Sequence, residues 1–155
     1  MAFLSSMNIV ASGLTAQQLR LDVVSENITN ATTTRTENGG GAYRRKMVVF
    51  QSVSGRETFQ EAMARAAAGD TVSNEGYENA GGVRVTQIME DPSDFKMVYD
   101  PTHPDADEEG YVEMPNVDTI KEMADAMAAT QAYSANVTAF NALKTVISKG
   151  LEIGR

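Results

Sequence analysis

Eight positions in the first 28 residues, Phe3, Met7, Val10, Leu14, Gln17, Leu21, Val24 and Ile28, alternate strictly by four and three, and only Gln17 among them is polar. This is the a/d seam of a heptad repeat. Such a narrow stripe covers a partner helix, whereas a helix on a globular core carries a broader apolar face. The segment closes on Asn27-Ile28-Thr29-Asn30 followed by Ala31 and three threonines. Asn and Thr favour caps and turns over helix interiors, so the helix is expected to stop near Asn30.

The other end of the chain repeats the theme. Neither Pro nor Gly interrupts Val117 to Lys149, and Met123, Ala126, Thr130, Tyr133, Val137, Phe140, Lys144, Ile147 and Leu151 again alternate by three and four, with Thr130 and Lys144 as polar breaks; Met127 adds a further apolar position. Asn116, after Pro115, is the expected N-cap, with Asp118 and Glu122 in the first turns and Lys144 and Lys149 in the last, a polarity that complements the helix dipole. A helix of this span is roughly 50 Å long at 1.5 Å per residue. Ordinary globular helices run to about 11–12 residues. A small domain cannot cover one this long, so part of its apolar face is expected to meet another chain.

Between the helices the character changes. Residues 1–50 carry five basic and three acidic side chains, residues 88–125 carry two basic and twelve acidic ones, and all four prolines (Pro92, Pro101, Pro104, Pro115) fall in that acidic stretch. Strands are predicted at Tyr43–Gln51, Val83–Met89, Phe95–Tyr99 and Gly110–Met114, with a hinge at Gly39-Gly40-Gly41. A short helix is predicted over Glu57–Ala68, closed by Gly69, with an exposed loop over residues 70–82. The fold class is therefore α+β: long N- and C-terminal helices paired as a coiled coil, with a small β-rich middle domain. The expected boundaries are 1–34 and 115–155 for the helical core and 35–114 for the middle.

The whole chain has 155 residues, a net charge of −8, no Cys and no Trp. At that length one domain is the natural expectation. Without cysteine there are no disulfides, thiolate metal sites or cysteine nucleophiles. An acidic chain lacks the usual basic footprint of a nucleic-acid binder. No apolar run approaches the ~18 residues of a bilayer span. The start, Met1-Ala2-Phe3-Leu4, lacks the basic and apolar regions of a cleaved signal peptide.

Sites for chemistry are few. Asp105, Asp107, Glu109 and Gly110 echo the first half of a calcium loop, but the twelfth position, which needs a bidentate Glu, is Asn116. His103, the only histidine, sits in the same acidic turn without an accompanying catalytic motif. The triple glycine lacks the Lys-Ser/Thr of a phosphate loop. Arg44, Arg45 and Lys46 form a compact basic group and a candidate electrostatic contact, expected to match an acidic stretch such as 100–113 within the chain or between subunits. The heptad stripes themselves leave two arrangements open. The helices pack on one another as an intramolecular hairpin, or they form one layer of a larger tube in a filament whose contacts do not close.

Nearly the whole chain resembles the flagellar axial proteins, and among them the proximal rod proteins of the FlgC type. Residues 12–35 (SGLTAQQLRLDVVSENITNATTTR) are similar to the signature shared by rod and hook proteins, centred on Asn27 and Asn30. Residues 41–51 (GAYRRKMVVFQ), 82–85 (GVRV), 90–93 (EDPS), 98–107 (VYDPTHPDAD) and 110–112 (GYV) resemble the short middle domain of the FlgC type. The C-terminal stretches 114–118 (MPNVD), 132–136 (AYSAN) and 151–155 (LEIGR) resemble its last helix, with Asp118 and Gln131 as departures from the residues common there.

The resemblance implies a structural subunit, without enzymatic activity or cofactor. It further implies export, uncleaved, through the flagellar type III apparatus and polymerisation into the periplasmic rod of the basal body around the export channel. It implies as partners further copies, other rod proteins, the basal export-gate adaptor and membrane-ring proteins. The implied subunit contacts are Phe3, Met7, Val10, Leu14, Gln17, Leu21, Val24, Asn27, Ile28 and Asn30, with Met123, Met127, Tyr133, Val137, Phe140, Ile147 and Leu151. From the residues alone, a non-polymerising coiled-coil adaptor and a metal-dependent hydrolase built on His103 and the 100–109 carboxylates stay open.

Overall fold

Two long helices bracket four short strands in the computed structural model, which describes residues 2–36, 41–53, 63 and 81–153. Helix α1 is Ala2–Thr29 and helix α2 is Thr119–Ile153. The strands are β1 (Lys46–Ser52), β2 (Val83–Glu90), β3 (Lys96–Tyr99) and β4 (Tyr111–Met114). This is the expected α+β architecture. The predicted helix over Glu57–Ala68, Met63 apart, Gly39-Gly40 of the hinge and residues 70–80 of the loop lie outside the described residues.

Helix α1 ends where its sequence changes. The Asn30 N–H donates to the Glu26 carbonyl at 3.0 Å and its side-chain amide donates to the same oxygen at 2.9 Å. Thr33 then bonds Asn30 through both its N–H and its hydroxyl, turning the chain out of the helix. Helix α2 is capped by Asp118 rather than by Asn116. The Asp118 carboxylate accepts the Ile120 N–H at 3.1 Å, and its carbonyl accepts the Glu122 N–H at 2.9 Å. Asn116 is drawn elsewhere. Its Oδ1 accepts the Arg45 N–H, and its Nδ2 donates to both the carbonyl and the hydroxyl of Ser93.

Among the described residues the strands form two two-stranded sheets, β1–β2 and β3–β4. The Asp91 N–H donates to the Arg45 carbonyl, and the Thr86 hydroxyl to that of Val49, so β1 and β2 run antiparallel. β3 and β4 are antiparallel in the register Lys96↔Met114, Met97↔Glu113, Val98↔Val112 and Tyr99↔Tyr111.

The chain groups into two compact units. One holds Met1–Gln17, Phe50–Val85 and Ala132–Arg155; the other holds Gln18–Val49 and Thr86–Gln131. In the first, Gly82 enters β2 against α1 with φ at +110°. A Cβ there would stand 2.5 Å from the Ser12 hydroxyl oxygen, which accepts the Val83 N–H at 3.1 Å. In the second, the buried residues are Val23, Val24, Asn27, Ala42, Tyr43, Gly110, Val112, Pro115, Val117, Glu122 and Ala129. This core is small, and its largest fully buried side chain is a carboxylate, Glu122.

Candidate functional site

The helices meet through stripes that are small and polar. In the first unit Gly13 faces Asn136, so closely that a Cβ on Gly13 would lie 3.0 Å from the Asn136 amide nitrogen. In the second unit Arg20 pairs with Asp125, and the Asn27 amide donates to Glu122 Oε2 at 2.9 Å. On α1 the in-chain positions Gly13, Ala16, Arg20, Val23 and Asn27 are three and four apart, with Ala16, Val23 and Asn27 buried. The predicted heptad seam Leu14, Gln17, Leu21, Val24 and Ile28 lies one residue later, a rotation of about 100°. Of that seam only Val24 is buried; Met7, Val10, Leu14, Gln17, Leu21 and Ile28 are half-buried. Phe3 lies in α1, and its side chain is outside the described residues.

Helix α2 shows the same offset at alternate positions. Glu122 and Ala129 are buried and Asn136 and Leu143 half-buried, whereas the expected Met123, Thr130, Val137 and Lys144 are exposed. Ala126, Tyr133, Phe140 and Ile147 are shared by both stripes and are half-buried. Periodicity misplaces the inward face because Glu122 and Asn136 occupy it, Glu122 bonded to Asn27 and Asn136 packed against Gly13. The large apolar side chains stand beside that face: Ile120, Met123, Met127 and Leu151 are 78%, 55%, 68% and 71% exposed.

At the junction of α1, β1 and α2 the polar groups close into one network. Asn27 is fully buried. Its Oδ1 accepts the Lys46 N–H at 2.9 Å and the Tyr43 hydroxyl at 3.0 Å; its Nδ2 donates to the Lys46 carbonyl and to Glu122, both at 2.9 Å. All four hydrogen-bonding capacities of the amide are thereby used. The second Glu122 oxygen accepts from Arg45 Nε at 2.7 Å, and Arg45 also reaches Asp91 at 3.4 Å. Burial works against the Arg45 charge, but hydrogen bonding to Glu122 and Asp91 outweighs it and holds the guanidinium firmly protonated. Burial, with Glu26, Glu122 and Glu90 nearby, pushes the Tyr43 hydroxyl up to about 12. The backbone N–H and hydroxyl of Ser93, and then Arg45, hold the Asp91 carboxyl below the usual range.

The basic trio is thus matched within the chain, though not to residues 100–113. Arg45 pairs with Glu122 and Asp91, and Lys46 pairs with Glu26. Arg44 donates to the carbonyls of Asp91 and Ser93 and stacks 4.3 Å over the Phe95 ring. Arg44 and Arg45 precede β1, which begins at Lys46.

The acidic turn finds a different partner. Asp105 accepts from the Thr34 hydroxyl at 2.8 Å and pairs with Arg35, and these contacts, the Thr34 bond foremost, lower its carboxyl. His103 Nδ1 accepts the Asp105 N–H at 3.1 Å, the geometry of a turn residue. A cavity of about 480 Å³ lies between this turn and Thr34–Arg35; on its wall Arg35 pairs with Asp105, and Asp107 and Glu113 add two further carboxylates. Among the described residues no group of three or more His, Asp and Glu could hold a metal.

Large apolar residues of both terminal helices thus lie beside their mutual contact and are left partly uncovered by the chain itself. The family model of the flagella basal body rod protein matches residues 7–35, most of α1 and its exit, and that of the flagellar basal body rod FlgEFG protein C-terminal region matches residues 108–153, β4 and α2. The similarity also runs through the middle. The chain is 50% identical to the flagellar basal-body rod protein FlgC of Bacillus subtilis over 97% of each chain. It is 39% identical to FlgC of Borreliella burgdorferi over 99% of this chain and 98% of that one, and 39% identical to FlgC of Escherichia coli O157:H7 over the full length of both. The chain belongs to the FlgC family of flagellar basal-body rod proteins and is a structural subunit of the rod.

Proposed function

We propose that the protein polymerises through α1 and α2 into the proximal rod, where stacked helices surround the export channel and transmit torque. One observation carries this reading. From Ala126 to Leu143, roughly five turns of helix, α2 has no charged residue, yet Met127, Thr130, Gln131, Ser134, Val137, Thr138 and Asn141 are exposed. A helix that keeps one face in water normally charges that face. An uncharged outer face that carries the exposed Met127 fits burial against the helices of neighbouring copies.

The interface in this reading is the offset stripe: Phe3, Met7, Val10, Leu14, Gln17, Leu21 and Ile28 on α1, and Met123, Met127, Tyr133, Val137, Phe140, Ile147 and Leu151 on α2. Val24, Asn27 and Asn30 act on it by fixing the end of α1, and Arg44, Arg45 and Lys46 by holding β1 to that end. Residues 1–34 and 115–155 form the helical core of the assembled subunit and 35–114 its outer part. The subunit has no catalytic role and takes no cofactor. It is exported without a cleaved signal into the periplasm, where its partners are further copies, other rod proteins, the export-gate adaptor and membrane-ring proteins. No helix among the described residues is long and apolar enough to cross a membrane.

Met127→Glu tests the reading. The side chain is 68% exposed, so the free protein should keep its melting temperature, while a strain carrying only this variant should build no rod and not swim. Normal rods in that strain would overturn the helix-face interface.

A further inference from the structure

Ten Lys and Arg side chains fall within the described residues, and their partners separate them into two sets. Arg20, Arg35, Arg45, Lys46 and Lys121 pair with carboxylates. Arg44 and Lys96 donate to carbonyls and Arg84 to the Gln51 side chain. Among the described residues Lys144 and Lys149 alone lack a side-chain partner. Both are exposed near the end of α2, beside the exposed Val146 and Leu151.

The complementary surface lies on the β3–β4 hairpin. Its register sets Met97 beside Glu113 and Tyr99 beside Tyr111 on one face, opposite the face that buries Val112. Tyr99 and Tyr111, in edge contact at 5.3 Å, are 64% and 40% exposed, and Met97 is 54% exposed. Glu113 stands on this face and Glu108 and Glu109 lie in the turn that leads into β4; all three are exposed and form no ion pair among the described residues. Aromatic faces bordered by unpaired carboxylates suit an ammonium group on an aliphatic stem.

We propose that this hairpin face receives the Lys144–Lys149 end of α2 from a second copy of the chain. The proposal rests on the rod reading above and names one contact within it. Each copy carries one donor end and one acceptor face, so the contact is heterologous and propagates rather than closing a pair. It supplies orientation more than bulk affinity: like-charged ends repel, and only the Lys end meets the acidic face.

A charge swap in cells tests it, with assembled rods and swimming as readouts. Lys144→Glu/Lys149→Glu should fold as the parent does, since both side chains are exposed, and should lose rod assembly. Adding Glu108→Lys, Glu109→Lys and Glu113→Lys to the same chain should restore it. Assembly of the Lys-reversed variant at the parent's level would overturn the proposal, and so would failure of the swap to restore rods. Rescue only by charge reversals in a different rod protein would overturn a second copy as the occupant. Met127→Glu, run in parallel, separates the two readings. Rods with reversed lysines but none with Met127→Glu discard this contact and keep the helix-face interface; rods with Met127→Glu discard the interface itself.

Discussion

Asn27 couples three elements through one amide, and that makes it the most consequential single residue in the described structure. Replacing it by Ala strands the Lys46 N–H and carbonyl, the Tyr43 hydroxyl and one Glu122 oxygen in a site without water access. A buried group left unsatisfied costs about 1–3 kcal/mol, so Asn27→Ala should lower stability by about 3 kcal/mol in urea titration. A loss below about 0.5 kcal/mol would show that the network contributes little.

Tyr43 adds a pH dependence with a definite sign. Its hydroxyl ionises near 10 when unfolded and at about 12 in the fold, because burial disfavours the phenolate. The stabilisation is complete below pH 10 and is lost as pH rises from 10 through 12. Melting temperature should therefore fall more steeply across that window in the parent than in Tyr43→Phe. Equal slopes would count against the burial of an ionisable hydroxyl. At the acid end Asp91 and Asp105 act in the opposite sense. Their lowered carboxyls stabilise the fold above the ordinary aspartate range, and that contribution disappears as they protonate.

At the scale of elements, close approaches of glycine backbone to facing side chains decide which substitutions the fold accepts. Gly82 has φ +110° and faces the Ser12 hydroxyl, so Gly82→Ala combines a strained backbone with a steric clash. It should cost about 1–3 kcal/mol in thermal melts, and a neutral change would contradict the docking of β2 onto α1. Gly13→Leu should likewise destabilise, by about 1–3 kcal/mol, because the side chain has no room against Asn136.

Both helices, their lengths and the four strands were legible in the sequence, since periodicity, prolines and terminal Asn-Thr clusters carry that information locally. The inward faces were not. Glu122, Asn27 and Asn136 are polar, and pattern reading sends polar residues outward unless their partners are known. Asn27 and Glu122 bond each other across 95 residues of chain, and Asn136 packs against the bare backbone of Gly13. The α2 cap moved from Asn116 to Asp118 for the same reason: Ser93 and the Arg45 backbone compete for the Asn116 side chain. The basic trio was found as a group, but its acceptors Asp91, Glu122 and Glu26 were hidden by distance in sequence.

At the scale of the whole molecule, the proposed assembly completes a small buried core by covering the uncharged flank of α2 with neighbouring copies. Heptad residues set about 100° from the in-chain contact give each helix a second usable face. A Cys-free sequence permits a direct measurement. Met127→Cys places a single thiol on the uncharged flank, and its labelling by a maleimide can be followed in free subunits and in isolated basal bodies. The account predicts prompt labelling of the free protein and protection in the assembled rod; equal labelling in the two states would contradict it.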